Sequence, residues 1–132
     1  MGGRLKLDEV RCDVQDGRIR ARVQLSKGGL THIGLAAGTL PEATCERVAA
    51  QATVSAVRQF AVFAGADQTV VLHDLDVISS PAANTILVSL KTGQGDDSRF
   101  LSGSAPVRDG AQVAAARAVL DGLNRQVEGL LN

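Results

Sequence analysis

The sequence predicts an α+β domain made of two pseudo-symmetric βββα units, with antiparallel sheets and two helices packed on one face. Three observations predict it. Ile19, Ala21, Val23 and Leu25 alternate with Arg18, Arg20, Arg22 and Gln24, the two-residue period of a half-buried strand. Val113, Ala116, Leu120, Leu123, Val127 and Leu130 step by three and four, as a helical seam does. Finally, the same order of elements occurs twice at a spacing of about 65 residues, the signature of an internal repeat. The repeat spans 4–64 and 69–130 within a single domain covering 1–132.

Each element has its own signal. Leu5, Leu7, Val10, Cys12 and Val14 alternate with one change of phase near Asp8-Glu9. Asp16-Gly17 then suits a type I′ hairpin, because glycine accepts positive φ freely. Lys27-Gly28-Gly29 turns the arginine-bearing strand into a third, from Leu30 to Ala37. Thr39-Leu40-Pro41-Glu42 reads as a capping box that starts a helix at Thr39. Cys45, Val48, Ala49, Ala52, Ala56 and Phe60 form its apolar stripe, which ends near Gly65.

In the second half, strands are expected from Val70 to Ile78, Thr85 to Leu90 and Arg99 to Val107, with turns at Ser79–Ala83 and Gly93–Asp97. Asp109, with Gln112 three residues on, caps a second helix. Leu7-Asp8-Glu9-Val10 aligns with Leu72-His73-Asp74-Leu75, and Val23-Gln24-Leu25 with Val88-Ser89-Leu90. Gly34-Leu35-Ala36 is set against Gly103-Ser104-Ala105, with a one-residue slip left open, and Ala52 to Val57 against Ala118 to Leu123.

Composition removes several classes of function. Fourteen basic residues balance fourteen acidic ones across 132 residues, whereas a protein that meets phosphates carries a basic excess. The aromatics are Phe60, Phe63 and Phe100, with no Trp or Tyr, too few to stack bases. No nucleic-acid partner is expected. No apolar run approaches the roughly 20 residues of a membrane span, so no membrane partner is expected either. Two cysteines, Cys12 and Cys45, do not make a disulfide scaffold, and a cytoplasmic location is the simplest expectation.

Two tandem βββα units with small, glycine-containing segments before each helix resemble the C-terminal regulatory domain of 2-isopropylmalate synthase and citramalate synthase. Gly34-Leu35-Ala36-Ala37-Gly38 followed by Pro41-Glu42-Ala43 is similar to the family's glycine turn and acidic residue. Gly103-Ser104-Ala105, Asp109, Ala114-Ala115-Ala116-Arg117-Ala118 and Leu120-Asp121-Gly122-Leu123-Asn124-Arg125 resemble its second turn and closing helix. The resemblance covers residues 5 to 127. It implies a non-catalytic module that forms a homodimer and binds a small amino acid or short-chain acid beside the glycine turns. It places the ligand near Gly34, Ala36, Gly38, Thr39, Glu42, Ser102, Gly103, Ser104 and Asp109. The chain departs from the family in three ways: it carries no catalytic barrel, its first turn is longer, and Ala36 and Ala105 stand where the second glycine of each turn belongs.

Physically, small residues beside a helix start allow free amides to meet an anion, but they also let a helix pack closely on a strand. Asp109, as a cap, would repel an anion at the second site. His32 and His73 sit in strands. Alternation puts His73 on the opposite face from Asp74 and Asp76, so neither a metal site nor a cofactor is expected. Cys45 reads as a core residue of the stripe rather than a nucleophile. Ser102 and Ser104 do not form a nucleophile elbow. The row Arg18, Arg20, Arg22, with Arg4 and Arg11 nearby, reads either as a solvated face or as a seat for an anion. The remaining expectations are a structural partner of a separately encoded enzyme, or a small enzyme using a strand histidine or Cys45.

Overall fold

The structure, a computed structural model, describes residues 5–63, 70–93 and 98–131. Its elements run β1 (Lys6–Gln15), β2 (Arg18–Lys27), β3 (Leu30–Thr39), α1 (Cys45–Phe63), β4 (Val70–Ser79), β5 (Asn84–Thr92), β6 (Arg99–Pro106) and α2 (Ala111–Leu131). They form two three-stranded antiparallel sheets of order β1-β2-β3 and β4-β5-β6. The fold is therefore α+β, a βββα unit used twice. The expected helix end near Gly65, residues 94–97 of the second turn, Arg4 and the repeat limits at 4, 64 and 69 lie outside the described residues.

The hairpins follow from local chemistry. Asp16 and Gly17 have φ of 53° and 76°, both positive as a type I′ turn requires. The phase change at Asp8-Glu9 is a β-bulge between Leu7 and Glu9, and its counterpart lies between Leu72 and Asp74. An extra residue at equal places in both units is the kind of feature that a repeat keeps.

The third-strand register, open in the sequence, is fixed by the pairs Gly34↔Val23 and Gly103↔Val88. Both glycines thereby face inward, beside the buried Val23 and Val88. A Cβ at Gly34 would lie 2.6 Å from Ala56 N and overlap the Ala52 carbonyl oxygen. One at Gly103 would lie 2.6 Å from Gly122 N and overlap the Ala118 carbonyl oxygen. Each helix thus rests backbone on backbone against its third strand, and only glycine permits that approach.

The core lies between sheets and helices. Ile19, Ala21, Val23 and Leu25 from β2 and Ile86, Val88 and Leu90 from β5 are buried against Val48, Ala49, Ala52 and Ala56 of α1 and Ala115, Ala118, Val119 and Leu123 of α2. Burial on α1 is wider than the expected stripe and takes in Ala50, Thr53, Val54 and Val57. The cause is a second set of neighbours, since α1 also packs on α2 and on β4, as α2 does on β1. Those crossings carry polar links as well. Arg58 Nε of α1 donates to Val70 O at 2.6 Å, and Leu5 N donates to Asn124 Oδ1 of α2 at 3.0 Å. Each helix thus holds the beginning of the other unit's first strand.

Candidate functional site

The helix starts differ from their expected places. α1 begins at Cys45, not Thr39, and its cap is Thr44, whose Oγ1 accepts a hydrogen bond from Arg47 N at 3.2 Å. Thr39 is instead the last residue of β3, where Arg18 opposite extends the ladder. Sheet pairing outcompetes the capping box, and a cis Leu40-Pro41 bond lies in the connection that follows. The second helix begins at Ala111, after Gly110 at φ 108°. Asp109 lies one residue further out and pairs with Arg117 Nη1 at 3.0 Å, so its carboxylate is turned toward a cation on the helix surface. Despite both corrections the two starts correspond: Val48 N donates to Thr44 O at 3.0 Å and Ala114 N to Gly110 O at 3.1 Å.

The nine candidate residues divide between two faces. Gly34, Ala36, Gly38 and Gly103 share the inner face, under the helices. A Cβ on Gly38 would lie 3.1 Å from Val48 Cγ2, so this glycine too serves close packing. Thr39, Ser102 and Ser104 are on the outer faces, and Glu42 and Asp109 are exposed in the connections. The backbone of Ser104 is engaged, its N–H donating to Asp121 Oδ2 at 3.1 Å. Gln59 Nε2 donates to Ile33 O at 2.7 Å on the matching edge. A helix side chain thus meets one backbone group on the free edge of each third strand.

The arginine row is where alternation puts it. Arg18, Arg20 and Arg22 face away from the helices, opposite Gln15, Asp13 and Arg11 of β1. Arg22 Nη1 is 3.5 Å from Glu9 Oε2, and Arg11 also pairs with Glu9. Toward the β1–β2 hairpin, Asp13, Val14, Gln15, Asp16, Arg18 and Arg20 line an open depression of about 580 Å³. It carries both signs of charge.

The histidines lie apart. His32 faces inward opposite Leu25 and stands edge-on to Phe60, with ring centroids 4.4 Å apart. His73 occupies the β4 bulge and stands edge-on to Phe100 at 5.0 Å. Phe100 lies on the outer face opposite Lys91, so the bulge slips the expected alternation and turns His73 outward, alongside Asp74 and Asp76. Among the described residues no group of three or more His, Cys, Asp or Glu could hold a metal ion.

The cysteines hold a relation that sequence reasoning missed. Cys12 faces inward on β1, opposite the buried Ala21, and Cys45 opens α1. Burial above all, then the Cys45 thiol and the charges of Asp13 and Glu46, push the Cys12 thiol up to about 12. The inward phase of Cys12 was legible, but only the crossing of α1 over sheet β1-β2-β3 brings Cys45 to it. No described helix is long and apolar enough to cross a membrane. Compared with protein families and with characterised proteins, the chain matches no family model and no curated sequence.

Proposed function

We propose that the chain is a non-catalytic regulatory or oligomerisation module that binds a small metabolite, in the manner its resemblance to the 2-isopropylmalate synthase allosteric domain implies. The observation that carries this reading is the doubled βββα unit, in which each helix holds the other unit's first strand through Arg58–Val70 and Asn124–Leu5. Such an arrangement makes a rigid, symmetric body with two outer sheet faces free of helices. The exposed candidates Thr39, Glu42, Ser102, Ser104 and Asp109 are the groups for contacting an amino acid or short-chain acid. A strand histidine and Cys45 are not brought together, so an enzyme would have to use one of them without the other. Phe60, which packs on His32, is 15 residues along α1 from Cys45, about 22 Å at the rise of a helix. His73 is on the outer face of the other sheet.

The uncovered face of β4-β5-β6 favours a homodimer. Val71, Ile78, Leu87 and the 60% exposed Phe100 share it, and zero formal net charge does little to oppose association. A partner enzyme is the second occupant that such a face would suit. Thermal unfolding with millimolar aliphatic amino acids and short-chain acids tests the metabolite reading. A ligand at 100 times its Kd stabilises by about 2.7 kcal/mol, a plain rise in midpoint. No rise with any compound sinks metabolite binding. Light scattering after size exclusion tests the dimer: twice the chain mass is expected, falling toward one chain in Phe100→Ser.

A further inference from the structure

We propose that the outer face of sheet β1-β2-β3 docks an acidic peptide segment of another protein, with carboxylates held by Arg18 and Arg20 and an aliphatic side chain against Leu35. The pairing of β2 with β3 builds the face. Arg18, Arg20, Arg22 and Gln24 lie beside Thr39, Ala37, Leu35 and Ile33, so a basic row runs along an apolar one. The helices pack on the opposite face, where Ala21, Val23 and Leu25 are buried. Leu35 is 67% exposed, more than any other large hydrophobic among the described residues. The second unit has no such row, since Thr85 and Leu87 stand at the places of Arg20 and Arg22.

Charge decides what such a surface takes. Lys6, Arg11, Arg18, Arg20 and Arg22 share the outer face with Glu9 and Asp13, and Asp8 reaches it from the bulge through Gln24 and Ser26. The whole chain is formally neutral, so this face carries a local basic excess. Glu9 is occupied by Arg11 and Arg22. Among the described residues Arg18 and Arg20 have no ion pair, although Asp13 stands opposite Arg20. Two residues apart in a strand, they are about 6.8 Å from each other, the spacing of alternate carboxylates in an extended peptide. A guanidinium takes a carboxylate through two parallel hydrogen bonds, and arginine is enriched where protein surfaces meet. The open depression of about 580 Å³ that both arginines line gives those carboxylates a seat at the hairpin end of the row. An anionic lipid surface fits less well, because it draws on clusters of about four to eight cations. The surface is separate from the β4-β5-β6 face assigned to the homodimer.

Fluorescence anisotropy with two labelled peptides tests this, one carrying Glu at alternate positions with Leu and Ser between, the other with Gln in place of Glu. The Glu peptide is expected to bind at least about tenfold more tightly, and to weaken several-fold between about 50 and 300 mM salt. Arg18→Ser combined with Arg20→Ser is expected to lose about tenfold in affinity, and Leu35→Ser several-fold. All three side chains are exposed, so unfolding midpoints stay within about 2 °C of the native chain. Phe100→Ser, on the other sheet, leaves peptide binding unchanged. Equal binding of the two peptides, no binding at millimolar peptide, or binding untouched by the double variant would each overturn the proposal. So would a loss in Phe100→Ser, or a preference for phosphatidylserine vesicles over the Glu peptide.

Discussion

In the first unit the outer face of the central strand carries Arg18, Arg20 and Arg22. At the places of Arg20 and Arg22 the second unit has Thr85 and Leu87. The bulges diverge in the same way. Asp8 accepts hydrogen bonds from Gln24 Nε2 at 3.5 Å and Ser26 Oγ at 3.1 Å, while its counterpart His73 lies against Phe100. Inside, the two units agree: Val23 and Val88, Leu25 and Leu90, Gly34 and Gly103, Ala52 and Ala118 occupy matching places. The difference separates two kinds of constraint. Inward positions are set by how closely a helix must approach a strand, and the close packing of interiors leaves few alternatives. Outward positions face solvent and are under no such packing constraint, so the two units are free to differ there.

The largest expected effect tests the inner agreement. Gly34→Ala and Gly103→Ala each drive a Cβ into helix backbone, where no flexible side chain can yield. Each is expected to lose about 3 kcal/mol or to fail to fold, by urea unfolding. If the units are mechanically alike, the two losses are similar. A mild effect at one glycine alone would break the equivalence.

The reciprocal links rank next, and here the units should differ. Asn124 is 5% exposed and satisfies Leu5 N, so Asn124→Ala strands a buried donor and is expected to lose about 2 kcal/mol. Arg58 is exposed overall, and its bond to Val70 O is part-buried rather than buried. Arg58→Ala is expected to lose about 1 kcal/mol, since water replaces the missing donor. An equal loss at both positions would contradict that ranking.

Much of this was legible from single residues and some was not. The two-residue period of β2, the Asp16-Gly17 turn and the bulge at Asp8-Glu9 are local, and local sterics decide them. So is the repeat. Thr39 misled because a capping box and a strand end use the same residues, and the choice was made by pairing with Arg18 across the sheet. His73 misled because alternation presumes a regular ladder, which a bulge interrupts. The candidate ligand set was read from small residues whose purpose at Gly34, Gly38 and Gly103 is contact with a helix that the sequence does not place. The Cys12–Cys45 pair is wholly tertiary.

That pair also gives the units an asymmetry in pH. The second unit has no cysteine, so any thiol-linked loss of stability belongs to the first. Cys12 ionises near its ordinary value of 9.0 in the unfolded chain but is held up to about 12 when folded. Below pH 9 both states are protonated and the contribution is complete. Between about 9 and 12 the unfolded state alone loses its proton, so stability falls as pH rises through that window. Under reducing conditions, urea midpoints from pH 8 to 10.5 are expected to decline in the native chain and to decline less steeply in Cys12→Ser.

The smallest expected effect concerns Gly122, which stands where the first unit has Ala56. Alanine is favoured over glycine in a helix interior by about 1 kcal/mol. A Cβ on Gly122 would meet Ser102 O at 3.2 Å and Gly103 N at 3.3 Å, tight contacts that ask the strand to give by a few tenths of an ångström. The two terms oppose each other at similar size. Gly122→Ala is therefore expected to change stability by less than about 1 kcal/mol, whereas Ala56→Gly, which gains no relief, is expected to lose about 1 kcal/mol. A large loss in Gly122→Ala would mean that α2 sits closer to β6 than α1 does to β3, and that the helix approach, not only the outer face, has diverged between the two units.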